Sequence, residues 1–173
     1  MIDKELLARH NAVTTNYKKN QTIFFEGNPS LFYYQMISGS VKMVNTGDKD
    51  KEFIQGIFTK DQSFGEPVLF LDQPYPASAV ANEDSEIIKI TKESFLQILQ
   101  ECPQILFSFT KIFAQRMYIK SIMSKEIAIH NPEHRIVTIL NLFRKNNLTN
   151  SKKKFKIEIT RQQIEDMDCI EWE

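Results

Sequence analysis

The densest run of positive charge in the 173-residue chain is Lys152-Lys153-Lys154, with Lys156 and Arg161 close behind. Lys and Arg in such a run suit phosphate oxygens, giving contacts that set position and carry no base information. A solvated loop has the same composition, so the segment that follows matters. Thr160-Arg161-Gln162-Gln163 reads as a helix start, with Thr160 as N-cap and Gln163, three residues on, completing a capping box. Net charge adds nothing, because Lys plus Arg and Asp plus Glu number 22 each. Any attraction for a polyanion must therefore be local.

Other chemistry finds little material. His130 and His134 are four apart, but Pro132 lies between them and breaks the helical pair a metal would need. Cys102 and Cys169 give neither metal-ligand spacing nor a disulfide framework. No Ser/His/Asp order, glycine-rich phosphate loop or carboxylate pair stands out. Neither an enzyme nor a metal site is expected. Apolar residues make up 42% and charged residues 25%, ordinary values for a globular protein. No apolar run approaches the roughly 18 residues of a membrane span. Met1-Ile2-Asp3-Lys4-Glu5 lacks the basic-then-apolar order of a signal peptide. The expectation is a cytoplasmic protein without a membrane partner.

Residues 2–10 show helical spacing at Ile2, Leu6 and Leu7. Short β-prone runs follow at Thr22–Phe25, Phe32–Ile37, Val41–Asn45, Phe53–Phe58, Ala77–Ala81 and Glu86–Ile90. Turn residues separate them, among them Gly27-Asn28-Pro29 and Ser38-Gly39-Ser40. Strands at such intervals predict a β-sandwich or roll. Helical spacing returns at Lys92–Gln100, and Cys102-Pro103 marks a boundary. From Gln104 to about His130 the chain has no Gly or Pro. This predicts one helix of about 27 residues, some 40 Å long at 1.5 Å per residue. Asn131-Pro132 stops it and starts another helix carrying Ile136, Leu140 and Phe143.

Within the long helix, Phe109, Ile112, Ile119 and Met123 fall at alternating three- and four-residue steps, the spacing of a coiled-coil seam. Apolar residues off that stripe, such as Phe107, Phe113, Met117 and Ile122, are too many for one face. Two faces need two partners: the β-domain, and the same helix of a second copy in a two-fold homodimer.

The runs Thr22–Pro29 and Phe32–Lys42, then Ser63-Phe64-Gly65-Glu66 and Ala77-Ser78-Ala79-Val80-Ala81, resemble the cyclic-nucleotide-binding β-roll. With the long helix, the Pro132 break and Ile159–Ile164, nearly the whole chain resembles the Crp/Fnr (catabolite-activator/fumarate-nitrate) family of transcription regulators. The fold this implies is α+β. It comprises a sensor roll of the double-stranded β-helix or jelly-roll type over 1–102, a dimerisation helix over 103–130, and a winged helix-turn-helix over 131–173. The resemblance makes Phe64, Gly65, Glu66, Ala77, Ser78 and Ala79 the ligand site, with Glu66 receiving a ribose hydroxyl. Lys152, Lys153, Lys154, Thr160, Arg161 and Gln162 become the DNA-contacting set.

Two departures qualify it. The family places an arginine before its Ser/Thr-Ala pair to take the phosphate through two parallel bonds. Here that position is Ala77. A buried phosphate without countercharge costs several kcal/mol, so cyclic AMP is disfavoured, and two readings stay open: another small-molecule effector in the roll, or a purely structural roll without a ligand. The helix-turn-helix also ends early, at Asp168-Cys169-Ile170-Glu171-Trp172-Glu173, where a groove-reading helix is expected. Those codons, read one base later, can give Thr-Ala-Leu-Ser-Gly, close to the family's turn. The sequence-level expectation is thus a C-terminally truncated or frameshifted regulator that binds DNA in its intact form. The alternative is a stand-alone binding or interaction module.

Overall fold

A computed structural model describes residues 1–47 and 52–129, with 134, 136–138 and 141. The first helix, α1 (Lys4–Arg9), starts where the Asp3 carboxylate accepts from the amides of Glu5 and Leu6. It is shorter than the expected 2–10 because Ile2 is held in another way. The buried Gln35 amide donates to Ile2 O at 3.0 Å and accepts from Ile2 N at 3.3 Å, mimicking a strand partner.

Among the described residues eight strands follow: β1 (Val13–Tyr17), β2 (Thr22–Phe24), β3 (Phe32–Ser38), β4 (Ser40–Thr46), β5 (Glu52–Thr59), β6 (Ser63–Phe64), β7 (Ser78–Ala81) and β8 (Ser85–Thr91). They form two four-stranded antiparallel sheets, ordered β1-β8-β3-β6 and β2-β7-β4-β5. Six of these strands match the expected runs. β1 was not among them, since Val13, Thr14 and Asn16 are exposed and the strand shows no apolar alternation. Its place is fixed by pairing with the distant β8. β6 has only two residues, too few to show a period.

Alternation across β3 and β8 separates two cores. Tyr34, Met36 and Ile87 point into the roll with Phe24, Val41, Met43, Phe64 and Tyr75. Tyr33, Ile88 and Ile90 point the other way and meet Ile2, Leu7, Phe95, Ile98 and Leu99. That second core receives α2 (Lys92–Glu101), whose first turn is capped by Thr91, and the start of α3 (Pro103–Ile129). Tyr33 stacks on Phe95 at 4.6 Å, and Phe109 of α3 meets both rings edge-on. The compact unit accordingly runs from Met1 to Phe113, ending inside α3, and a second unit begins at Ala114. Among the described residues no helix is long and apolar enough to cross a membrane.

Candidate functional site

The segment implied as the ligand site begins at β6, where Phe64 pairs with Tyr34 and Ser63 with Gln35. Gly65 then turns at φ +72°, a conformation that glycine adopts without steric cost. Glu66 and Pro67 open a short 3₁₀ turn (Pro67–Phe70). The chain returns through residues 71–77 to β7. That return is tied down by bonds from Tyr75 N to Asn28 O, Gly27 N to Tyr75 O, Ser30 Oγ to Gln73 O and Tyr75 Oη to Phe32 O, all between 2.8 and 3.0 Å.

Phe64, Gly65, Glu66, Ala77 and Ala79 are all buried, and Ser78 is half-buried. Phe64, Ala77 and Ala79 share one apolar cluster with Phe24, Tyr34 and Tyr75. Phe24 lies opposite Ala79, whose small side chain leaves room for the ring. Phe24 and Tyr75 stack at 3.7 Å and 15°, and Tyr34 and Phe64 at 5.4 Å and 13°. A Cβ added at Gly65 would sit 3.1 Å from both Phe24 Cζ and Tyr75 Cε1. The rings thus press on the backbone of the site itself.

The two polar members of the set do not meet. Glu66 is wholly buried and its Oε1 accepts from Ser63 Oγ at 2.7 Å. Ser78 Oγ instead accepts from Glu26 N at 2.9 Å. Glu26 Oε2 in turn accepts from Asn45 Nδ2, which also donates to Pro76 O, and Asn45 Oδ1 accepts from Gln55 Nε2 at 2.6 Å. Sequence reasoning quoted Ser63 in the motif without giving it a role, and missed Phe24, Tyr34, Tyr75, Asn45 and Gln55. Each reaches the site through strand pairing or a loop return, which leave no local pattern.

Among the described residues, the roll strands carry no arginine, since Arg9 and Arg116 lie outside them. Lys42 pairs with Glu52, and Lys89 lies over the Phe32 ring at 4.9 Å. Desolvation by burial pushes the Tyr75 phenol up to about 12. Burial also raises Tyr34, with further contributions from Tyr75 and Tyr17, and burial raises Tyr17. An open hollow of about 550 Å³ lies elsewhere, lined by Met1 to Glu5, Gln35 and Asp61. The Gln35 amide there is already engaged by Ile2 and by Tyr33 Oη.

On α3 the stripe expected to face a second copy begins at a residue that the roll covers. Phe109, expected in the dimer seam, is only 1% exposed and belongs to the protein's own core. The Tyr33 and Phe95 rings cover the face that the sequence pattern left open. Ile112, Ile119 and Met123 continue the same half-buried side. Phe107, Met117 and Tyr118 are 74%, 72% and 68% exposed. Lys152, Lys153, Lys154, Thr160, Arg161 and Gln162, with the whole expected helix-turn-helix, lie outside the described residues.

The cyclic nucleotide-binding domain family matches residues 14–102, about half of the chain. The chain belongs to this family, in its Crp/Fnr branch. The cAMP-activated global transcriptional regulator CRP of Haemophilus influenzae is 29% identical over 153 residues, covering 87% of this chain and 68% of the relative. The sensor domain of the transcriptional regulator DNR from Pseudomonas aeruginosa superposes with a TM-score of 0.57 at 26% identity, over 66% of this chain and 75% of that one. The c-di-GMP responsive global regulator CLP of Xanthomonas campestris shares the fold, with a TM-score of 0.77 at 21% identity over 96% and 84%. These relatives are regulators of transcription. The cyclic nucleotide-binding roll followed by a long helix, expected from the residues, is the observed fold. Ala77, where the resemblance implies a phosphate position, is a buried methyl group set in an aromatic core.

Proposed function

We propose that this protein regulates transcription as a ligand-responsive, DNA-binding homodimer whose effector is not cyclic AMP. The observation that carries the reading is α3. Twenty-seven residues run without interruption from the sensor roll, with Phe109 locked into the roll's outer core and apolar side chains bare on the other face. A change of packing in the roll reaches α3 through Tyr33, Phe95 and Phe109. A helix paired with a second copy would pass it to the spacing of two DNA readers. An effector drives this only if it binds the two arrangements differently. Ala77 argues against a phosphate ester, because among the described residues no arginine in the roll strands takes the place of the missing guanidinium.

The exposed side of α3 gives the pairing surface. Phe107, Thr110, Ala114, Met117 and Ser121 are all exposed and fall at alternating three- and four-residue steps. Small residues between large ones let two helices approach closely.

The test is affinity of the gene product for duplex DNA at graded salt, read by fluorescence anisotropy. A regulator shows affinity falling steeply with salt. Replacing Lys152, Lys153 and Lys154 by Ala lowers the log–log slope by about 1 for each phosphate that a removed lysine had neutralised. Salt-insensitive or absent affinity sinks this reading and leaves the roll as a stand-alone binding or interaction module.

A further inference from the structure

We infer that the effector site of this roll is filled by the chain's own side chains. The Phe24–Tyr75 stack and the Ser63 hydroxyl take the ground a cyclic nucleotide would need. The site therefore accepts from outside only a flat, uncharged molecule able to replace the Tyr75 ring. This rests on the reading of the roll as a sensor and deepens it by naming the class of ligand.

Three observations converge. Gly65, which the resemblance places in the ligand site, is approached by Phe24 and Tyr75, whose nearest atoms would lie 3.1 Å from a Cβ there. The Glu66 carboxylate, matched to a ribose hydroxyl, takes the hydroxyl of Ser63 at 2.7 Å. The phosphate position, Ala77, is wholly buried in the apolar cluster that holds both rings. Substituting arginine at Ala77 alone would therefore bring a charge to a place with no room for its anion.

Tyr75 is built in. It is 2% exposed, its amide and carbonyl are bonded to Asn28 and Gly27, and its phenol donates to Phe32 O. An outside molecule that displaces the ring must be flat to lie against Phe24, uncharged to sit in this core, and able to donate one hydrogen bond to the Phe32 carbonyl. A simple phenol meets all three demands.

The experiment compares melting temperatures of the wild type, Ala77→Arg, Tyr75→Gly, Tyr75→Phe and Ala77→Arg/Tyr75→Gly with cyclic AMP or p-cresol. Binding to the folded state alone raises the melting temperature by several degrees at a hundredfold excess over the dissociation constant. The expected result is no shift with cyclic AMP for the wild type or Ala77→Arg, and a shift for the double variant. Tyr75→Gly should be stabilised by p-cresol, with less effect on Tyr75→Phe, which keeps its ring. A cyclic AMP shift in the wild type or in Ala77→Arg overturns the inference. So does a folded double variant that responds to neither compound. If Tyr75→Gly does not fold, Ala77→Arg/Phe24→Leu carries the same comparison with cyclic AMP. None of these shifts depends on DNA, so failure of the inference and failure of the regulator reading are told apart.

Discussion

A phenol buried among rings ionises reluctantly, because its anion would lose hydration that the core does not replace. Tyr75 is raised to about 12, and Tyr34 and Tyr17 are raised as well, all three chiefly by burial. In the unfolded chain these phenols titrate near their ordinary value of 10.0. Above that pH the unfolded state gives up protons that the folded state retains, so the stability held by neutral phenols is present below pH 10 and drains as pH climbs toward 12. The expected outcome is a melting temperature that falls across that window, with phenolate absorbance appearing late and together with unfolding. Normal phenolate titration before any loss of structure would show that the three rings are not buried as described. At this scale the sequence was legible in one respect, the departure at Ala77, because a motif exposes a missing member. It was silent on Phe24 and Tyr75, which meet only after β2 pairs with β7 and the 71–77 return closes.

Among the elements, the hairpin joining β3 and β4 shows how a single residue sets register. Gly39 sits at φ +78°, and a Cβ there would lie 2.4 Å from Ser85 Oγ and 2.5 Å from Asp84 O. The second of these atoms is backbone and cannot swing aside. Gly39→Ala should therefore cost about 3 kcal/mol, combining left-handed strain with overpacking. Gly27, also left-handed at φ +80°, has nothing within 4 Å of its Cβ position. Gly27→Ala should cost only the strain, about 1 kcal/mol. Urea denaturation of both variants checks the ordering, and equal losses would remove the close approach at Gly39 from the account. Turn glycines and apolar runs made β2, β3, β4, β5, β7 and β8 legible in advance. β1 was not, since a strand exposed at Val13, Thr14 and Asn16 draws its order from its partner and carries no alternation of its own.

At the scale of the whole molecule, the proposed homodimer raises the question of which side of α3 would meet a second copy. The sequence pattern favoured Phe109, Ile112, Ile119 and Met123, and the length of the helix was correctly anticipated. Spacing identifies a stripe without saying which neighbour covers it, and here the roll claims Phe109. The exposed stripe begins at Phe107, two residues earlier, and two residues at about 100° each turn the helix by some 200°. The proposed seam thus lies almost opposite the one expected. Replacing Phe107 and Met117 by Glu sets like charges against each other and takes two large apolar side chains out of the seam. Dimer affinity should fall at least about tenfold, a drop of roughly 1.4 kcal/mol or more. Light scattering after gel filtration would register this as a shift toward half the mass at a fixed concentration. Both residues are more than two-thirds exposed, so the roll itself should keep its secondary structure by circular dichroism. Phe109→Ala is the counterpart: it should cost about 3–5 kcal/mol of folding stability while leaving the exposed stripe in place. If instead the Phe107/Met117 variant stays dimeric and an Ile119→Glu variant dissociates, the seam runs along the half-buried side. Phe109 would then be shared between the roll's core and the border of the interface.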